Sequence, residues 1–156
     1  MDSNDLRRLI AYSDWANLRM LAALEQVSDR SPDAVRLFAH VITTDGIYLE
    51  RMKRNDPFPQ NFWPEVPLAE IEGRMKANGS AYRSFIDSLG DVDERVSYRN
   101  SKGERFNTSI ADMLTHLSIH GAHHRGQILH AMRQSGRPSV NLDFITFVRE
   151  ADQSKL

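Results

Sequence analysis

The stretch Ser109-Ile-Ala-Asp112-Met-Leu-Thr-His116-Leu-Ser-Ile-His120-Gly-Ala-His123-His124-Arg125-Gly126-Gln127 carries the strongest pattern in the chain. Five of the six histidines lie between positions 116 and 130. In a helix each residue advances about 100°, so residues four apart lie within about 40° of one another on one face. His116, His120, His124 and the Gln127 amide therefore share a stripe. The ends are punctuated as those of a helix. Thr108 or Ser109 caps the start, and Ser109 with Asp112 three residues later is a capping-box variant with Asp in place of Glu or Gln. Gly136 and Pro138 close the helix after about Gln134.

Outward from this helix, three more follow from periodicity. Residues 4 to 27 carry apolar side chains at mixed three- and four-residue spacings, among them Leu6, Leu9, Ile10, Ala16, Met20, Leu21 and Leu24. Ser31-Pro32-Asp33 starts a second helix, with Ser at the N-cap and Pro at the first helical position, running to about Asn55. A third spans roughly Leu68 to Leu89, weakened at Gly73 and Gly79. Residues 55 to 67 hold four of the six prolines together with Phe58, Phe62 and Trp63, which predicts a long aromatic loop. Such a loop serves either as a hydrophobic plug or as a functional lid. Arg95 to Asn107, with a turn at Asn100 to Gly103, predicts a short hairpin, and Asn141 to Glu150 a short final helix. Four long helices with one long connection predict an all-α fold, a four-helix bundle, as a single domain over residues 1–156.

Composition narrows the function classes. The apolar fraction of 40% and charged fraction of 26% are those of an ordinary globular domain. A formal net charge of −1, without a run of like charges, gives no electrostatic footprint for nucleic acid or an anionic membrane. No stretch approaches the roughly 20 apolar residues of a membrane span, and no apolar h-region follows the polar N-terminus. The expected location is the cytoplasm. The chain has no cysteine, which excludes disulfides, thiolate zinc sites and a cysteine nucleophile. Any metal must be held by imidazole and oxygen.

His120 and His124 form an H-x3-H pair, able to grip one ion from successive turns. The same spacing holds zinc in HExxH proteases, where Glu after the first His is the general base. Here that position is Gly121, so the protease reading loses its base. A bundle di-iron site needs Glu-x-x-His on two helices, and no Glu in the chain has a His three residues after it. A mononuclear site with open positions remains. Its third ligand candidate is His40, in the apolar run Leu37-Phe38-Ala39-His40-Val41-Ile42. Alone, His40 would read as a satisfied core residue. Three convergent imidazoles, however, repel if protonated and lose solvation if unpaired, and a metal relieves both problems. His116 is the rival on the fourth helix. Ligands at i, i+4 and i+8 span about 12 Å, so an ion can take His116 with His120 or His120 with His124, not all three.

Ala11-Tyr-Ser-Asp-Trp15-Ala16-Asn17, Leu37-Phe-Ala-His40 and His120-Gly-Ala-His123-His124-Arg125-Gly126-Gln127, with the ending Asn141-Leu-Asp-Phe-Ile-Thr-Phe-Val-Arg-Glu150, resemble the DinB-like (DinB/YfiT) superfamily in the same order over nearly the whole chain. The resemblance implies an antiparallel four-helix bundle and a divalent metal on His40, His120 and His124, with water or substrate in the remaining positions. It also implies a homodimer, and a metal-dependent enzyme acting with a small thiol. Characterised relatives include transferases using bacillithiol or glutathione and an isomerase using mycothiol.

Around the ligands, His123 lies about 60° from His120 and about 100° from His124, a poor third ligand that reads as support or packing. Gln127 is placed to orient a bound water or a ligand imidazole. Arg125 reads as a structural ion pair, with binding of an anionic substrate as the alternative. Asp45, about 140° from His40, is not a ligand. Tyr12, Trp15 and Tyr48 read as core, and His130 as surface. A divalent ion lowers the pKa of a thiol or water that binds it. A thiol would have to arrive as a cosubstrate, with a small electrophile as its partner. The ion expected is Zn, Ni, Fe or Mn, and no side chain presents itself as a catalytic group. The competing expectations are a non-enzymatic metal-binding or stress-response protein and a purely structural helical bundle.

Overall fold

The computed structural model describes residues 2–29 and 31–153. Among these the elements run α1 (Ser3–Leu24), α2 (Pro32–Met52), α3 (Leu68–Ser88), β1 (Arg95–Arg99), β2 (Arg105–Ser109), α4 (Ile110–Gln134) and α5 (Phe144–Gln153). The described residues are mostly helical with one small sheet, as the sequence pattern predicts.

Local chemistry sets the ends. Asp2 caps α1: its carboxylate accepts from the backbone N–H groups of Asn4 at 2.8 Å and Asp5 at 2.9 Å, while Asp5 accepts from Asp2 N–H at 3.3 Å. This complete capping box is built from two aspartates. At Ser109 only half of the predicted box forms, with Oγ accepting from Asp112 N–H at 3.0 Å. Ser31 stands at the N-cap of α2, but its side chain makes no capping bond, and Pro32 alone marks the start. The helix stops at Met52, short of the expected Asn55. Arg54 turns into the left-handed region with φ 66°, its N–H reaching Arg51 O at 2.8 Å, while Asn55 N–H reaches Glu50 O at 2.9 Å. That is a Schellman closure with arginine where glycine is usual.

β1 and β2 pair antiparallel, Arg95 opposite Ser109 and Arg99 opposite Arg105. Gly103, at φ 80°, makes the turn between them. The strand pair packs on α2 and α4 and leads directly into α4.

α2 packs against α3 and α4, α1 packs against the same two helices, and α5 lies on α1. One apolar cluster gathers Met20, Leu24, Phe38, Ile42, Ile71, Ile128 and Met132. A second gathers Leu6, Leu49, Tyr82, Val96, Met113, Leu114 and Leu117. Full burial of side chains of this size contributes about 1.5–3 kcal/mol each, which is what holds α2 and α4 side by side. A cavity of about 30 Å3, lined by Asp14, Asn17, Asp45, Asn78, Tyr82 and Ser118 among others, lies between α1, α2, α3 and α4. Among the described residues no helix is long and apolar enough to cross a membrane.

Candidate metal centre

His40 comes from the middle of α2 and is buried, while His120 and His124 come from successive turns of α4 and are partly exposed. The α2–α4 contact brings one ring nitrogen of each to within 4.8 Å of the others. His40 Nε2 and His120 Nε2 are 3.0 Å apart. The ring centroids stand 4.7 Å apart for His40 and His124, and 4.5 Å for His120 and His124.

Partners fix the tautomers. His40 Nδ1 is 2.7 Å from the carbonyl oxygen of Phe62, which can only accept, so Nδ1 carries the proton and Nε2 presents a lone pair. His124 Nδ1 donates to Gln127 Oε1 at 2.6 Å, which frees its Nε2 in the same way. These are the supporting bonds that metal-ligating histidines usually make. Burial, then the imidazoles of His124 and His40, push the pKa of His120 down to about 3, so this ring is neutral at physiological pH. Burial likewise lowers His40, against the Phe62 carbonyl, which raises it.

The neutral cluster is frustrated. If His120 donates from Nε2 to His40, its Nδ1 lone pair is left in a buried position with no hydrogen-bond partner among the described residues. If the proton moves to Nδ1, two Nε2 lone pairs oppose each other at 3.0 Å and Nδ1–H is the orphan. A divalent cation held by His40, His120 and His124 would convert the opposed lone pairs into ligands. The residues therefore fit a metal ion: a group of three histidines, one buried and two partly exposed, could hold one.

The other side chains sort around this point. His116 continues the stripe, its ring 5.5 Å from His120 and 5.1 Å from Tyr48, and it stands outside the group of three. Burial lowers its pKa, with the Arg51 guanidinium adding to the shift. His123 is exposed with its ring 5.1 Å from His124, and His130 is exposed near Gln134. Tyr12 and Trp15 are occupied in the fold, Tyr12 donating to Leu142 O at 2.8 Å and Trp15 to Glu150 at 2.9 Å. Tyr48 packs partly buried against the second apolar cluster, with Arg51 4.6 Å over its ring and His116 beside it.

Arg125 has a structural role, but not through the ion pair the sequence suggested. It is only 2% exposed and donates from Nη1 to the Asn17 amide oxygen at 2.9 Å. Its guanidinium lies 5.4 Å over Tyr12. It also explains Gly121: a Cβ there would stand 2.8 Å from Arg125 Nη1. The glycine that removes a protease-type base makes room for this guanidinium.

The aromatic loop is more than a plug. Trp63 stacks on His40 with centroids 3.7 Å apart and planes 2° from parallel, yet remains 44% exposed. Phe62 supplies the carbonyl to His40 Nδ1. Neither residue was identified from sequence as a support for the site. The signal available was the aromatic and proline-rich composition of the segment.

Comparison with known proteins places the chain in a family. The profile of the DinB family matches residues 2–155. The chain is similar to Protein DinB of Bacillus subtilis (strain 168), 20% identical over 154 residues, covering 88% of this chain and 90% of the relative. No solved structure matches at a meaningful level. With the family profile running essentially end to end, the chain belongs to the DinB family.

Proposed function

We propose that this DinB-family protein binds one divalent metal ion through His40, His120 and His124, and is an enzyme that activates a small thiol, or water, for attack on a small electrophile. The observation that carries the proposal is the approach of three ring nitrogens from two helices to within 4.8 Å. A divalent ion held there supplies Lewis acidity, which makes a thiol or water a nucleophile near neutral pH.

The chain's own residues prepare that position. The Phe62 carbonyl holds the proton of His40 on Nδ1, and Gln127 does the same for His124. Trp63 covers one face of His40 and excludes water from it. With no cysteine in the sequence, a thiol nucleophile comes from a cosubstrate. The packing of α1 and α2 against α3 and α4 supports an antiparallel four-helix bundle as the scaffold, a single domain over 1–156. A cytoplasmic homodimer is the working form under this proposal, and light scattering checks its stoichiometry.

The test is reconstitution with Zn, Ni, Fe or Mn followed by a panel of low-molecular-weight thiols and electrophiles. Metal-dependent thiol consumption that is lost in His124→Ala supports the enzyme. Metal uptake without turnover across the panel would favour a non-enzymatic metal-binding protein. No uptake would leave a structural bundle.

A further inference from the structure

Two consecutive residues of the segment between α2 and α3 hold His40 from perpendicular directions. The Phe62 carbonyl accepts at the ring edge, 2.7 Å from Nδ1, and the Trp63 indole lies flat on the ring face at 3.7 Å. A core plug would bury its largest side chain, but Trp63 is 44% exposed and spends one face on a single imidazole. Trp63 N–H donates to Asn61 Oδ1 at 3.0 Å, a local turn that sets the direction of both residues.

The other end of the segment is tied to the strand pair. Asp56 accepts from Arg99 twice, from the backbone N–H at 2.8 Å and from Nε at 2.7 Å. The Arg99 carbonyl accepts from Gln60 Nε2 at 3.2 Å and from Arg51 Nη2 at 2.9 Å. Arg51, 2% exposed, spreads over Tyr98 at 4.4 Å and Phe62 at 5.5 Å. One continuous chain of contacts therefore runs from the end of β1 through residues 56–63 to the face and edge of His40.

We propose that residues 56–63 form a positioning strap, anchored at Arg99, in which the Phe62 carbonyl and the Trp63 ring fix the tautomer and plane of His40 and so set the metal affinity of the three-histidine site. This rests on the metal reading above. It gives the strand pair a task, holding the base of the strap, that its small size does not otherwise explain. Phe62 and Trp63 are positioning residues, acting through His40.

The experiment uses Zn2+ competition against a chromophoric chelator, with 15N NMR of the metal-free protein to read the His40 tautomer. The variants are Trp63→Ala, Trp63→Phe and Asp56→Asn. Trp63→Ala should weaken Zn2+ binding about 10- to 100-fold, the usual effect of removing a ligand's support. It should also turn His40 from a single Nδ1–H form into a mixture. Trp63→Phe, which keeps a stacking ring, should restore the tautomer and most of the affinity. Asp56→Asn, remote from every ligand and partly exposed, should weaken binding in the same direction with circular dichroism unchanged. Wild-type affinity and an unchanged His40 tautomer in both Trp63→Ala and Asp56→Asn would overturn the strap while leaving the metal site intact. Absence of Zn2+ binding in the wild type would overturn the metal reading and the strap together.

Discussion

Replacing Asp45 with Asn should stabilise the protein at alkaline pH and have little effect in acid. The Asp45 carboxyl lines the cavity between the four long helices. Three hydrogen-bond donors around the cavity are committed elsewhere: Tyr82 Oη donates to the Asp45 backbone carbonyl at 2.7 Å, Ser118 Oγ to Leu114 O at 3.2 Å, and Asn78 Nδ2 to Ile42 O at 2.8 Å. Burial raises the Asp45 pKa from 3.8 to about 7, with Arg125 opposing the shift and Asp14 adding to it. Because the folded-state pKa lies above the unfolded one, the folded protein holds more protons between these values. Stability therefore falls as pH rises through the window from 3.8 to about 7, and the penalty is complete above it. A shift of this size corresponds to at most about 4 kcal/mol. Asparagine keeps the shape of the neutral acid and cannot ionise. The assay is urea unfolding of wild type and Asp45→Asn at several pH values from about 4 to about 8, so that every other titrating group cancels in the difference. The variant should gain about 2–4 kcal/mol relative to wild type across that range. A difference independent of pH, or one that grows toward acid, would show that Asp45 does not ionise at a cost in the folded protein.

Three other outcomes follow from the geometry. Gly121→Ala places a methyl group 2.8 Å from Arg125 Nη1 and must displace a buried guanidinium from Asn17. It should cost about 1–3 kcal/mol in thermal or urea unfolding. Gln127→Ala removes the acceptor on His124 Nδ1 and should weaken metal binding by about 10- to 100-fold in a chelator competition, without loss of helix content. His116→Ala should leave metal stoichiometry unchanged in elemental analysis, since His116 lies outside the group of three.

What the sequence made legible was whatever depends on spacing within one element. The helices follow from apolar periodicity, and the His120/His124 pair from a four-residue step along α4. His40 was reachable because an imidazole in an apolar run demands a partner, and the resemblance to the family singled out the trio. Contacts between distant segments were not legible. Arg125 and Asn17 are 108 residues apart, and neither residue type announces the other. The Phe62 support is a backbone carbonyl, which leaves no trace in the identity of the side chain. Asp45 stands outside the group of three histidines, and its angle on α2 does not disclose a cavity built by four helices. The Asp2–Asp5 capping box escaped because Asp replaces the usual Ser or Thr and Glu, whereas the predicted Ser109–Asp112 box formed only in half.

The central claim, one ion on three histidines, is tested most directly by elemental analysis of untagged protein, comparing wild type with His40→Ala and His124→Ala. The wild type should hold about one equivalent of a divalent metal, lost in both variants. Metal retained in both variants would place the ion elsewhere. A wild type that takes up no metal after reconstitution would rule out the three-histidine metal site and leave the converging imidazoles as packing.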